Sequence, residues 1–165
     1  MYNNIGKIYK ESPDGQIYHL SEENLNGKVL NPSVPDNFMT EKGYEDDKTP
    51  RVSFAESIDG ALIGISSNLT GKEFFVHVPA RNDYKYLCNK KVQDKVPDAH
   101  ISQEVWILED VEVKCVGKIK VTDSTSEAIP YKYGDMWADT YEWDWEYIGN
   151  TGGDDIKKWV YFFCK

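Results

Sequence analysis

The stretch RVSFAESIDGALIGI, residues 51–65, decides the fold. Its apolar residues first alternate, at Val52 and Phe54, and then recur at about every 3.6 positions, at Ile58, Ala61, Leu62 and Ile65. A period of two that lengthens in this way describes a strand running into a helix. Ser53, Ser57 and Asp59 sit at the switch. Hydroxyls and carboxylates there satisfy the free N–H groups of a helix start, so Ser57 or Glu56 is the expected cap. A helix start also presents N–H groups to an anion. The corner is thus either the best-packed strand–helix unit of the chain or the wall of a binding site.

Strand patterns lie on both sides of it. Residues 16–20 put Ile17 and His19 on one face and Tyr18 and Leu20 on the other. Residues 73–78 (EFFVHV) and 103–108 (QEVWIL) read as core strands, and 111–121 (VEVKCVGKIKV) as a strand with strict alternation. The pair Glu109-Asp110 between the last two predicts a hairpin. Residues 68–72 close the helix, 81–97 form a connector with a short helix, and 158–164 return as a last strand. Residues 27–50 form a long irregular segment with the acidic cluster Glu45, Asp46 and Asp47. A loop of this length is functional, mobile or a solvated excursion. In residues 131–148, Tyr141, Trp143, Trp145 and Tyr147 alternate with Glu142, Asp144 and Glu146. One face is then aromatic core and the other a solvated acidic surface, or the segment meets a partner protein. With no repeat and no linker, residues 1–165 read as a single domain of the α+β class with a mostly antiparallel sheet.

Composition narrows the function classes. The chain has 165 residues, 28 of them acidic and 19 Lys or Arg, for a net charge of −9. This argues against direct nucleic-acid binding, which needs a basic patch, and against anionic membranes. No run is long enough to span a bilayer, and the N-terminus lacks the apolar core of a signal peptide. Cys88, Cys115 and Cys164 are an odd count without paired spacing, which points to free thiols in a cytoplasmic protein. The 11 tyrosines and 5 tryptophans suit a sheet-rich fold with rings to spare for a ligand. His19, His77 and His100 are far apart, and no cysteines have zinc-ligand spacing, so no metal is expected. There is no glycine-rich phosphate loop, no GxSxG, and no calcium-loop spacing around Asp46.

What remains is a three-part pattern. It comprises a strand ending Tyr18-His19, the corner Val52-Ser53-Phe54, and a strand beginning Gln103-Glu104-Val105-Trp106. With Gly27-Lys28-Val29-Leu30-Asn31-Pro32 between the first two, the order and spacing resemble the ADP-ribosyltransferase-like superfamily, over roughly residues 19–121. The resemblance implies a split, mostly antiparallel sheet with one main helix, and NAD as substrate. Breaking the nicotinamide–ribose bond creates positive charge on the ribose, which a neighbouring carboxylate stabilises. By resemblance that carboxylate is Glu104, and Ser53 shapes the nicotinamide pocket or orients it. His19 anchors the other ribose through its ring, with the flanking backbone at Tyr18 facing the nicotinamide amide. Phe54 or Tyr44 stacks on the nicotinamide.

Three positions depart from the family pattern. Leu20 stands where a glycine often follows the histidine. Serine replaces a pair of tyrosines in the middle motif. Ser102 stands where arginine-modifying members carry a second glutamate, which points away from arginine as acceptor. The resemblance therefore implies ADP-ribose transfer to another macromolecular acceptor, or hydrolysis of NAD. The alternative is a non-enzymatic acidic protein on the same fold, of bacterial or phage kind, that binds a basic partner.

Overall fold

The computed structural model describes residues 16–35, 46, 48–65, 68–96, 98–124, 129–133 and 136–148. The expected last strand at 158–164, Glu45, Asp47 and the candidate Tyr44 lie outside them. The chain is mostly antiparallel sheet with few helices. The strands are β1 (His19–Ser21), β2 (Val29–Leu30), β3 (Val52–Ala55), β4 (Glu73–Pro79), β5 (Tyr86–Leu87), β6 (Glu104–Ile107), β7 (Val111–Ser124), β8 (Ile129–Tyr133), β9 (Met136–Thr140) and β10 (Trp143–Tyr147). The described helices are α1 (Ile58–Ile65), α2 (Asn89–Val92) and α3 (Ala99–Ser102). Among the described residues no helix is long and apolar enough to cross a membrane.

Two sheets carry the architecture. One runs β1-β4-β7-β10, with β2 also on β7; the other runs β3-β6-β5. The 14-residue β7 is the backbone of the first. Its alternation places Val111, Val113, Ile119 and Val121 in the core and leaves Glu112, Lys120 and Thr122 exposed. Opposite β4, Val76 pairs with Gly117 and His77 with Cys115, so Val116 is the extra residue of a β-bulge. The bulge turns Val116 inward as well, against Leu62, Val76 and Trp143.

The hairpin expected of β6 and β7 does not form. Both edges of β6 are taken, by β3 and by β5, and β7 pairs with β4, β10 and β2. The three residues Leu108, Glu109 and Asp110 instead carry the chain from one sheet to the other. Val105 and Ile107 of β6 then meet Val111 and Val113 of β7 through their side chains, in a core shared with Val52 and Phe54. Apolar residues on β6 and β7 are equally compatible with edge pairing and face packing, and the competing edges of β3 and β5 decide.

The fork between the sheets lies at one residue. Tyr18 exchanges both backbone hydrogen bonds with Ala55 of β3, at 2.8 and 2.9 Å. His19, next along, is paired with His77 of β4. The alternation foreseen for residues 16–20 holds: Ile17 enters the core with Phe54, and Tyr18 the core with Leu62 and Val76. The chain thus changes partner between Tyr18 and His19, from β3 of one sheet to β4 of the other.

Two charge and thiol expectations fail. Asp46 is half-buried and paired rather than freely solvated. It accepts the Lys48 and Thr49 backbone N–H groups at 2.9 and 2.7 Å and pairs with Arg51 at 3.7 Å. Burial alone would raise its pKa; those hydrogen bonds, the Thr49 hydroxyl and the Arg51 charge outweigh it and hold the carboxyl below its ordinary value. Cys88 is disulfide-bonded, while Cys115 is a free thiol. Sequence spacing carries no information about which cysteines a fold brings together, so cysteine usage no longer argues for a reducing compartment.

Candidate functional site

A cavity of about 280 Å³ opens at the fork. The β1 arm contributes Tyr18, His19 and Leu20 to its wall, β3 contributes Ser53, Phe54 and Ala55, and β6 contributes Glu104. Gly60, Ala61, Gly64 and Ile65 of α1 form another side, with Asp98, Ser102 and Pro35. His19, Ser53 and Glu104, 34 and 51 positions apart in the chain, meet here.

Their geometry is a directed series of hydrogen bonds. The Leu25 backbone N–H donates to His77 Nε2 at 2.9 Å, which fixes the His77 proton on Nδ1. His77 Nδ1 donates to the His19 carbonyl at 3.2 Å. His19 Nδ1 in turn donates to the Ser53 carbonyl at 3.0 Å, leaving Nε2 as an acceptor. Burial lowers the pKa of both rings, against the raising effect of their carbonyl partners; His77, fully buried, is pushed down to about 4. Both are therefore neutral at pH 7. Ser53 Oγ donates to Glu104 Oε1 at 2.8 Å, and the Trp106 indole N–H donates to the same oxygen at 2.7 Å. Neither bond involves Oε2. Beneath Trp106, the buried Arg51 guanidinium lies 4.2 Å from the ring centroid. A neutral imidazole acceptor and a carboxylate oriented through one oxygen can together engage ribose hydroxyls and stabilise developing positive charge.

The α1 side explains how Glu104 reaches its place. Ser57 Oγ accepts the Gly60 N–H at 2.9 Å, so Ser57 rather than Glu56 supplies the side-chain cap. The same hydroxyl donates to Gln103 Oε1 at 2.6 Å. Gln103 has φ 54°, a left-handed turn between α3 and β6. Asn89 Nδ2 donates to the carbonyls of Ala99 and Glu104 at 2.8 and 2.9 Å. Glu104 is thus fixed by its backbone as well as by its carboxylate.

The remaining predicted residues divide. Phe54 borders the cavity but is 2% exposed in the core, its ring centroid 5.6 Å from that of His19, so it backs the imidazole and has no free face for stacking. The Tyr18 backbone is paired with Ala55, which takes its N–H and one lone pair of its carbonyl, and its hydroxyl donates to Gln16 at 3.1 Å. Sequence reasoning missed His77, Trp106, Asn89 and the glycines of α1. A lone histidine inside the apolar run EFFVHV was the available signal for the first.

Among the described residues no three His, Cys, Asp or Glu side chains are grouped to hold a metal ion. No protein-family model, curated protein or solved structure matches this chain.

Proposed function

We propose that this chain is an ADP-ribosyltransferase-like protein that binds NAD in the fork cavity and cleaves its nicotinamide–ribose bond, passing ADP-ribose to a macromolecular acceptor or to water. One observation carries the reading: His19, Ser53 and Glu104 converge on one cavity, with a carboxylate oxygen and an imidazole nitrogen outside their mutual hydrogen bonds. At about 280 Å³ the space lies near the lower end of small-molecule sites, roughly 300 Å³, and suits the nicotinamide riboside half of the dinucleotide. Glu104 stabilises the positive charge that develops on the ribose, Ser53 and Trp106 hold the carboxylate, and neutral His19 accepts a hydrogen bond from a ribose hydroxyl.

Incubation with NAD labelled in the nicotinamide ring tests this. The wild-type protein should release free nicotinamide, and Glu104→Gln, which keeps the shape and removes the charge, should lower the rate at least about a hundredfold. Absence of NAD binding by calorimetry together with absence of nicotinamide release would exclude the reading.

A further inference from the structure

Arg51, just ahead of β3, and Ser53 within it are two residues apart, as are Glu104 and Trp106 on β6. Ser53 stands opposite Trp106, so the period of two gathers all four side chains on one face of the β3–β6 ladder. The Arg51 side chain is 1% exposed and is held from behind. Its Nη1 donates to the Asp46 and Thr49 carbonyls at 2.8 and 3.1 Å and lies 3.7 Å from the Asp46 carboxylate. In front of it, 4.2 Å from the guanidinium carbon, is the ring centroid of the fully buried Trp106. The edge of that ring carries the N–H that donates to Glu104 Oε1. A cation and a carboxylate oxygen thus meet one indole, the first at its face and the second at its N–H. The cation draws electron density toward the face, which makes the N–H a stronger donor to an anion. At this depth water screens the effect little.

We infer that Arg51 is a positioning residue for the Glu104 carboxylate and acts on it through the Trp106 indole. This rests on the NAD reading above and extends the site to a residue that does not line the cavity. The guanidinium fixes the plane of the ring, and its charge strengthens the indole N–H. The N–H then holds Oε1 more firmly than the neutral Ser53 hydroxyl does alone. The carboxylate therefore meets the charge that develops on the ribose in one orientation, without reorganising as the bond breaks.

The test places Arg51→Gln, which removes the charge and keeps an amide donor, and Arg51→Lys, which keeps the charge, in the full chain and in its Trp106→Phe variant. Arg51→Gln should lower kcat for nicotinamide release about fivefold with KM within about twofold, and Arg51→Lys should restore most of the loss. In Trp106→Phe the same Arg51→Gln change should move kcat less than about twofold, because the N–H it acts through is gone. The Trp106 indole proton resonance, assigned by its disappearance in Trp106→Phe, reads the bond without NAD. It should move upfield in Arg51→Gln and far less in Arg51→Lys. It should move downfield in Asp46→Asn, which removes the counter-charge and keeps an acceptor oxygen. The Asp46→Asn shift alone decides the matter where Arg51→Gln does not fold. Equal losses of kcat in Arg51→Gln and Arg51→Lys, equal losses with and without the indole, or a Trp106 resonance that does not move downfield in Asp46→Asn overturn the inference and leave NAD cleavage standing. Absence of nicotinamide release from the wild type overturns the NAD reading, and the resonance shifts then still decide whether Arg51 acts on the Trp106–Glu104 bond.

Discussion

Two donors converge on a single oxygen of Glu104, the Ser53 hydroxyl and the Trp106 indole N–H. Removing one of them tests what that donor does. Trp106→Phe keeps an aromatic ring in the cluster with Val92, Val96 and Ala99 and over Arg51, and deletes the N–H together with one ring of the indole, so its melting temperature is read beside its rate. The expected result is a roughly tenfold fall in kcat for nicotinamide release with KM nearly unchanged, as for a group that acts only as charge develops. A change confined to KM would show that the indole acts on binding. His77 makes a separate prediction about stability. Its ring stays neutral in the fold down to about pH 4, whereas in the unfolded chain it takes up a proton below about 6.5. The unfolded state therefore binds more protons inside that window, and stability falls as the pH drops through it. Above the window His77 contributes no pH dependence. With the ring 0% exposed, the loss between pH 7 and pH 4 is about 3 kcal/mol, and the lowered pKa of His19 adds to it in the same direction. Urea midpoints at the two pH values measure the fall, and His77→Gln should flatten most of it.

At the scale of elements, α1 and α3 approach so closely that one glycine is obligatory and its neighbour one turn on is not. A Cβ on Gly60 would lie 2.6 Å from the Ser102 carbonyl oxygen, a backbone atom that cannot swing aside. On Gly64 the nearest atom would be Ser102 Cβ at 3.6 Å, an ordinary contact. Replacing glycine by alanine inside a helix gains up to ~1 kcal/mol of propensity. At Gly60 the overlap costs about 2 kcal/mol or more and wins; at Gly64 the gain survives. Gly60→Ala should therefore lower the melting temperature and, by displacing the Ser102–Glu104 corner, the activity; Gly64→Ala should leave the melting temperature equal or higher. The same elements show what could be read from the chain. The switch from Phe54 to Ile58, the Ser57 cap and the alternation of Ile17, Tyr18 and His19 are local patterns, and each took the form expected. His19, Ser53 and Glu104, singled out by order and spacing, line one cavity. The β6–β7 hairpin did not form, because strand pairing depends on which edges are free, and no local pattern records that β3 and β5 already flank β6. The Asp46–Arg51 contact and the Cys88 disulfide were illegible for the same reason: each is made by the fold. Phe54 illustrates the opposite error, an aromatic suited by type to stack on a ligand and committed by the sheet to the core.

For the molecule as a whole, β7 contributes residues to the cores of both sheets. Its first residues pack with β3 and β6, and Val116, Ile119 and Val121 pack with α1, β4 and β10. Damage in either core should then be felt in both. Leu62→Ala, at a site 0% exposed, should cost ~2–5 kcal/mol. Amides of β6 should lose hydrogen-exchange protection together with those of β4, although Leu62 and the β6 residues belong to different clusters. The cavity sits where the sheets part, so a ligand there bonds to β1, β3 and β6 at once and opposes separation of the two. On the proposed function, NAD at a hundred times its dissociation constant should add about 2.7 kcal/mol to the unfolding free energy, as for any ligand held by the folded state alone. In a chain of this size that raises Tm by about 5–10 °C. The rise should follow the logarithm of NAD concentration, appear at the same temperature by circular dichroism and by tryptophan fluorescence, and shrink in His19→Ala, which removes the imidazole acceptor and leaves the Tyr18–Ala55 rung in place. Two transitions, with NAD shifting only one, would instead show that the sheets unfold separately and that the ligand is held by one of them.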